Sequence, residues 1–305
     1  MRRHLPILLT LVFALSAAAQ GRVPEDVEVK RDVEYGVAKD VSLRLDVYKP
    51  KTPPQGLMPA VVWIHGGGWR GGDKNNASNA IAAAKRGFFA VSINYRLSGQ
   101  AVFPAAIEDC KGAIRWVRAN AKEHGVDPDR IGVWGSSAGG HLALLAGCAD
   151  ESAGLEGKSG YAKVSSRVQA VCSWFGPADF TIVGSVSRDP VALFLGGTKA
   201  EKEEAYKLAS PVTHASKDDP PVLMIHGDQD TTVKVEQSEV MLKALKGVGA
   251  PAELVVVKGA GHGWKAEGKS FEPGAAEILE MSLKFLEEKL AAKELQPGNE
   301  EPAKK

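Results

Sequence analysis

Two segments near the amino end, VEVKRDVEY and VSLRLDVY, alternate apolar and polar residues between Val27 and Lys49 across a turn region containing Gly36. That period of two predicts an antiparallel hairpin with one face buried. Further on the pattern changes. Ala60 to Ile64 (AVVWI) is a continuous apolar run, as expected of a strand covered on both sides. A small-residue helix over Asn79 to Arg86 and a strand over Phe88 to Asn94 follow it. Pro104 opens a helix running to about His124, with Ile107, Ala113, Ile114 and Val117 near helical spacing.

The same alternation continues to the end of the chain. Strands are predicted at Ile131 to Trp134, Val168 to Trp174, Pro221 to Ile225 and Ala252 to Val257. Helices are predicted after Ala138, over Val235 to Lys246 and over Phe271 to Leu290. Repeated strand, loop and helix predict an α/β fold: a mostly parallel central sheet, helices on both faces and an antiparallel amino-terminal edge. Between Gly176 and Pro220 the pattern weakens into short helical pieces, Val191 to Leu195 and Glu201 to Ala209, and this stretch is expected to form a small lid.

Composition adjusts this picture at the termini. At 305 residues, 44% hydrophobic and 25% charged, the chain is sized for one large domain over about 20–292. The first residues carry Arg2 and Arg3, an apolar run from Leu5 to Leu15, then Ala17 and Ala19. This is the layout of a secretory signal peptide over 1–19, which predicts export, to the periplasm or the medium, with no stable membrane insertion after processing. The tail at 293–305, polar and proline-containing, is expected to be disordered. Formal net charge is +1, and removing two arginines with the leader leaves about −1. Such a balance offers no polyanion-binding surface, so no nucleic-acid partner is expected. Cys110, Cys148 and Cys172 lie in apolar stretches without metal-ligand spacing and read as small buried hydrophobes, with a disulfide left open.

The chemistry-bearing stretch is RIGVWGSSAGGHLALL, residues 130–145. An apolar strand meets Gly135-Ser136-Ser137-Ala138-Gly139 and then a helix, the context of the G-x-S-x-G nucleophile elbow with Ser137 exposed at the turn. With 33 glycines in the chain the pentapeptide alone carries little; its flanks and partners carry the argument. Acyl transfer by serine needs a base, a carboxylate to orient it and N–H donors for the oxyanion. After the strand ending at Ile225 come Asp228 and Asp230, and after the strand ending near Val257 comes His262, each at a carboxyl strand end. His65-Gly66-Gly67-Gly68-Trp69 follows another buried strand.

Together HGGGW at 65–69, GSSAG at 135–139, HGDQD at 226–230 and GHGW at 261–264 resemble the α/β-hydrolase family, within it the hormone-sensitive-lipase-like esterases and secreted carbohydrate esterases of acetyl xylan or feruloyl type. The resemblance implies Ser137 as nucleophile, His262 as base and acid, and Asp230 as the orienting acid. Family spacing H-G-x-x-D selects Asp230 and leaves Asp228 as a turn residue. It further implies an oxyanion hole from the N–H groups of Gly67, Gly68 and Ala138, and no metal or other cofactor.

Trp69, Trp174 and Trp264 adjoin these loops and are candidates for the substrate pocket, with loop packing the competing reading. His65 reads as a loop brace and His141 as a satisfied helix histidine. The substrate implied is a small-molecule or polysaccharide-borne ester carrying short acyl or aryl groups, such as acetyl or feruloyl. HGDQDTTV is also similar to prolyl-oligopeptidase catalytic domains, which keeps a peptidase or amidase as the alternative. A binding module on a hydrolase scaffold is the non-enzymatic alternative, against which all three triad positions are filled.

Overall fold

In the computed structural model, residues 23–292 are described; the expected leader at 1–19 and tail at 293–305 lie outside them. The centre is an eight-stranded sheet in the order β1-β2-β4-β3-β5-β6-β7-β8. The hairpin β1 (Val27–Ala38) and β2 (Val41–Pro50) forms its antiparallel edge, and β2 pairs antiparallel with β4 (Phe89–Ile93). All other pairings, through β3 (Met58–Ile64), β5 (Val126–Ser136), β6 (Ala170–Trp174), β7 (Val222–Gly227) and β8 (Ala252–Val257), are parallel. Parallel pairing places the carboxyl ends of β3, β5, β7 and β8 on one edge, where the four motif loops emerge.

Side chains of each inner strand alternate between two cores. Val62, Ile64, Ile131 and Val133 enter the core under α2 (Ala105–Ala119) and α4 (Ala138–Cys148). Val61, Trp63, Trp134, Cys172 and Trp174 enter the opposite core under α1 (Ser78–Lys85) and α8 (Ala275–Lys289). There Trp63, Trp134 and Trp174 meet edge to face at 5.0–6.1 Å between centroids, a geometry that adds to their burial. Helix α4 is apolar on every side, and all its residues are buried.

The hairpin turn falls at Lys39 and Asp40, not around Gly36, which lies inside β1 opposite Leu43. Three further boundaries depart from the sequence reading. The helix expected to run to His124 is broken after Ala119: the Asn120 amide folds back onto the Trp116 carbonyl at 2.8 Å, and a separate turn, α3 (Ala121–His124), follows. The last helix begins at Ala275 instead of Phe271, because Glu272 pairs with Lys258 as a β-bridge and Gly274 is the cap, its N–H held by Glu277 at 2.8 Å. Strand β5 starts at Val126, five residues ahead of the apolar run.

Between Gly176 and Pro220 lie α5 (Arg188–Leu195), α6 (Glu203–Leu208) and a 3-10 turn (Pro211–His214). Phe180 and Phe194 from this stretch pack on Trp69. Helix α7 (Glu236–Gly247) covers β8. The three cysteines are buried free thiols.

Candidate active site

The elbow forms where β5 turns into α4. Ser137 has φ 53° and ψ −120°, a conformation that costs a non-glycine residue about 1–3 kcal/mol. Its N–H donates to the Trp174 carbonyl at 2.8 Å, while its carbonyl accepts the His141 N–H at 2.9 Å. The strand–helix approach leaves no room for side chains: a Cβ on Gly139 would overlap the Ile64 carbonyl oxygen and lie 2.6 Å from that of His65. Alanine cannot replace this glycine without moving α4 away from the end of β3.

Around Ser137 the sheet edge assembles the expected partners. Ser137 Oγ and His262 Nε2 are 2.9 Å apart, and His262 Nδ1 lies 2.6 Å from Asp230 Oδ2. A carboxylate accepts only, so Nδ1 carries the proton and Nε2 is the lone pair facing the serine hydroxyl. The other Asp230 oxygen accepts the N–H groups of Thr232 and Val233, both at 2.8 Å. Burial alone would push this carboxyl up; His226, His262 and the Val233 N–H outweigh it and hold the group well below the usual carboxylate range. Asp230 is therefore ionised wherever the protein is folded near neutrality. The arrangement can move a proton from Ser137 to His262 and stabilise the imidazolium that results.

Asp228 has the other role. Its Oδ1 accepts the Gly259 N–H at 2.8 Å, tying the β7 loop to the β8 loop, and its Oδ2 lies 3.5 Å from Lys258 Nζ, whereas the carboxylate bonded to His262 is that of Asp230. His226 is a residue that sequence reasoning passed over. Its Nε2–H donates to the Val233 carbonyl at 2.8 Å and lies 3.5 Å from Asp230 Oδ2, and its Nδ1 faces the Ser238 hydroxyl at 2.7 Å. The signal was present as a His four residues before the Asp, within the same turn. Phe175, also unassigned from sequence, packs edge-on against the His262 ring at 4.7 Å.

The glycine loop lies beside the elbow. Gly67 (φ 113°), Gly68 (φ 61°) and Trp69 (φ 57°) all have left-handed backbone, and a Cβ on Gly67 would overlap the Gly71 carbonyl oxygen. The Gly67 carbonyl closes the turn by accepting from Arg70 and Gly71. Among the described residues the N–H groups of Gly67, Gly68 and Ala138 donate to no protein acceptor. His65 braces the loop: its ring stacks on Tyr95 at 4.4 Å, and Tyr95 donates to its carbonyl.

Two of the three pocket tryptophans are placed elsewhere. Trp69 is buried among Phe180, Phe194 and His141, and Trp174 is buried with its indole N–H donating to Ser282 of α8 at 2.9 Å. Both are core residues, Trp69 entering one core from the glycine loop and Trp174 entering the other from the end of β6, on the face it shares with Ala170 and Cys172. Trp264 is half-buried against Trp174 and Phe175, two residues beyond His262. A separate cleft of about 360 Å³ opens in the 180–206 stretch, between Phe180, Val186, Val191 and Tyr206. Among the described residues no group of three or more His, Cys, Asp or Glu could hold a metal ion, and no helix is long and apolar enough to cross a membrane.

Comparison with known proteins agrees with this geometry. A match to the BD-FAE family spans residues 45–245. The chain belongs to that family. Solved structures share the fold: a carbohydrate esterase from gut microbiota is 31% identical, with a TM-score of 0.75 over 88% of this chain and 99% of its own. Esterase 2 of Thermogutta terrifontis, solved with propionate bound, is 31% identical, with a TM-score of 0.72 over 88% of this chain and 98% of its own. The same esterase has been solved phosphorylated by paraoxon. Among curated proteins, a probable carboxylic ester hydrolase of Mycobacterium tuberculosis, LipM, is 34% identical over 74% of this chain and 54% of its own length. The chain spans a little over half the length of the curated relatives it matches first. The fold is thus that of the α/β-hydrolase esterases.

Proposed function

We propose that this protein hydrolyses short-chain or aryl carboxylic esters through an acyl-enzyme on Ser137. The observation that carries this reading is the hydrogen-bonded series Ser137–His262–Asp230 beside a glycine loop with free N–H groups. As Ser137 Oγ attacks the ester carbonyl, His262 takes its proton and Asp230 holds the resulting imidazolium. Oxyanion charge falls on the N–H groups of Gly67, Gly68 and Ala138, donors that need no reorganisation; losing one typically costs about 10²–10³ in turnover. His262 then protonates the departing alcohol, and water, activated by the same ring, releases the acid.

Relatives described as a carbohydrate esterase and as an esterase with bound propionate support acetyl and similar small acyl groups, including those on plant polysaccharide, as substrates. Export through residues 1–19 belongs to the same reading, since a polymer-borne ester is met outside the cell. The test is release of nitrophenol from nitrophenyl acetate and propionate by wild type and Ser137→Ala, then acetate release from acetylated xylan and hydrolysis of methyl ferulate. Wild-type turnover abolished by Ser137→Ala is expected. A folded wild type inert on all small esters refutes the proposal.

A further inference from the structure

The oxyanion donors proposed above come from two separate parts of the chain, Gly67 and Gly68 from the β3–α1 loop and Ala138 from the elbow. Something must hold the loop in register with the helix to well under 1 Å for the three N–H groups to converge. Glycines have no side chains with which to do this. Beyond the β3–β5 pairing, which ends at Ile64 and Gly135, a side chain that crosses between the two parts is His141.

His141 is one turn beyond Ser137 on α4, fully buried, its own N–H bonded to the Ser137 carbonyl. Its ring has two partners of fixed chemistry. Trp69 Nε1 is 3.2 Å from Nδ1, and an indole N–H can only donate, so Nδ1 accepts. The Ala209 carbonyl oxygen is 2.7 Å from Nε2 and can only accept, so Nε2 carries the proton. The ring is thereby fixed as one neutral tautomer. Burial favours the same neutral form and brings the pKa down to about 4, with the Ala209 bond opposing. Trp69 directly follows Gly68 and is clamped on its other sides: its ring stacks on Phe194 at 4.8 Å, and its carbonyl accepts from Ser98 N–H and Oγ. Loop position is therefore transmitted through Trp69 to His141, and through α4 to Ser137 and Ala138.

Resting on the esterase reading, we propose that His141 is a positioning residue for the oxyanion hole, acting through its Nδ1 bond to Trp69, while its Nε2 bond to Ala209 serves the packing of the 176–220 stretch. The two ring bonds can be separated. His141→Asn carries an amide oxygen near the Nδ1 position and keeps an acceptor for Trp69 while losing Ala209. His141→Gln reaches the Nε2 position, keeps a donor for Ala209 and leaves the Trp69 N–H unpaired. Trp69→Phe removes the same N–H from the other side and retains a stacked ring.

The measurements are kcat and KM on nitrophenyl acetate, inhibition by a short alkylboronic acid as a tetrahedral mimic, and Tm for each variant. Displacing donors is milder than deleting one, so kcat is expected to fall about 10- to 100-fold in His141→Gln and in Trp69→Phe, with KM within about threefold of wild type. Boronate inhibition weakens in parallel, and the double variant is no worse than either single one. His141→Asn keeps kcat within about threefold although its Tm falls. If instead kcat follows Tm across all three variants, or Trp69→Phe and His141→Gln turn over normally, His141 is a packing residue and the proposal fails. Should His141→Gln not fold, Trp69→Phe decides alone. Inactivity of wild type, or activity of Ser137→Ala, would instead strike the esterase reading itself.

Discussion

Replacing Asp230 by Asn changes one atom and tests the proton path. In the wild type Asp230 Oδ1 accepts two backbone N–H groups at 2.8 Å, which fixes the carboxylate plane, and Oδ2 accepts from His262 Nδ1 at 2.6 Å. In Asp230→Asn the amide oxygen takes the two backbone donors, so the NH₂ must face His262 Nδ1. Two donors cannot share that contact, and His262 shifts its proton to Nε2, the atom 2.9 Å from Ser137 Oγ. A ring protonated there has no lone pair for the serine proton. In serine triads this change costs about 10⁴ in kcat, equivalent to about 5 kcal/mol of transition-state stabilisation. Stopped-time assays on nitrophenyl acetate near pH 7.5 measure it, with circular dichroism to show that the variant is folded. Asp228→Asn is the matched comparison: its amide oxygen still accepts the Gly259 N–H, and kcat is expected to stay within a few-fold. A folded Asp230→Asn with kcat within tenfold of wild type, or a larger loss at Asp228, would refute the assignment.

Other consequences follow from the same coordinates. Ser137→Gly removes both nucleophile and left-handed strain, so it is expected to be inactive yet about 1 kcal/mol more stable than Ser137→Ala in urea unfolding; equal stabilities would mean the elbow is relaxed. Gly139→Ala forces a Cβ into the Ile64 carbonyl and is expected to lose about 3 kcal/mol or more of stability along with activity, whereas a wild-type Tm would contradict the close approach of β3 and α4. His141 titrates at about 4 in the folded protein, against about 6.5 unfolded. The unfolded chain therefore gains its proton first on acidification, and stability fully present above pH 6.5 is lost as pH falls toward 4. This one group accounts for about 3 kcal/mol, and His141→Asn is expected to flatten that part of the stability–pH curve; an unchanged slope would contradict the buried neutral ring.

Much of this architecture is legible because the physics is local. Continuous apolar runs mark strands covered on both faces, and tight glycine turns after them mark the loops, so Ser137, His262 and an acid at 228 or 230 follow from order and position, while the choice of Asp230 rests on the family resemblance. Trp69 and Trp174 were less accessible, for different reasons. Trp174 closes a strand in which Ala170 and Cys172 share its face, so period-two counting along β6 points it at the α8 core; proximity to the catalytic loops suggested otherwise. Trp69 sits in a run of left-handed residues that has no periodicity, and nothing in HGGGW tells which way its ring turns. His226 and His141 act through partners 7 to 72 residues distant, Val233, Ala209 and Trp69, and only the fold brings these together. The start of α8 is hidden because the helical period continues backwards through Phe271, although Pro273 and the cap Gly274 stand before its first turn.

The central claim is that Ser137 is the reacting atom's owner, and covalent labelling tests it most directly. Wild type treated with paraoxon, then digested and sequenced by mass spectrometry, is expected to carry a single diethylphosphoryl group on Ser137, in step with loss of nitrophenyl acetate hydrolysis, while Ser137→Ala takes up none. Labelling at another residue in step with inactivation, or full ester turnover by an enzyme labelled at Ser137, would contradict the account.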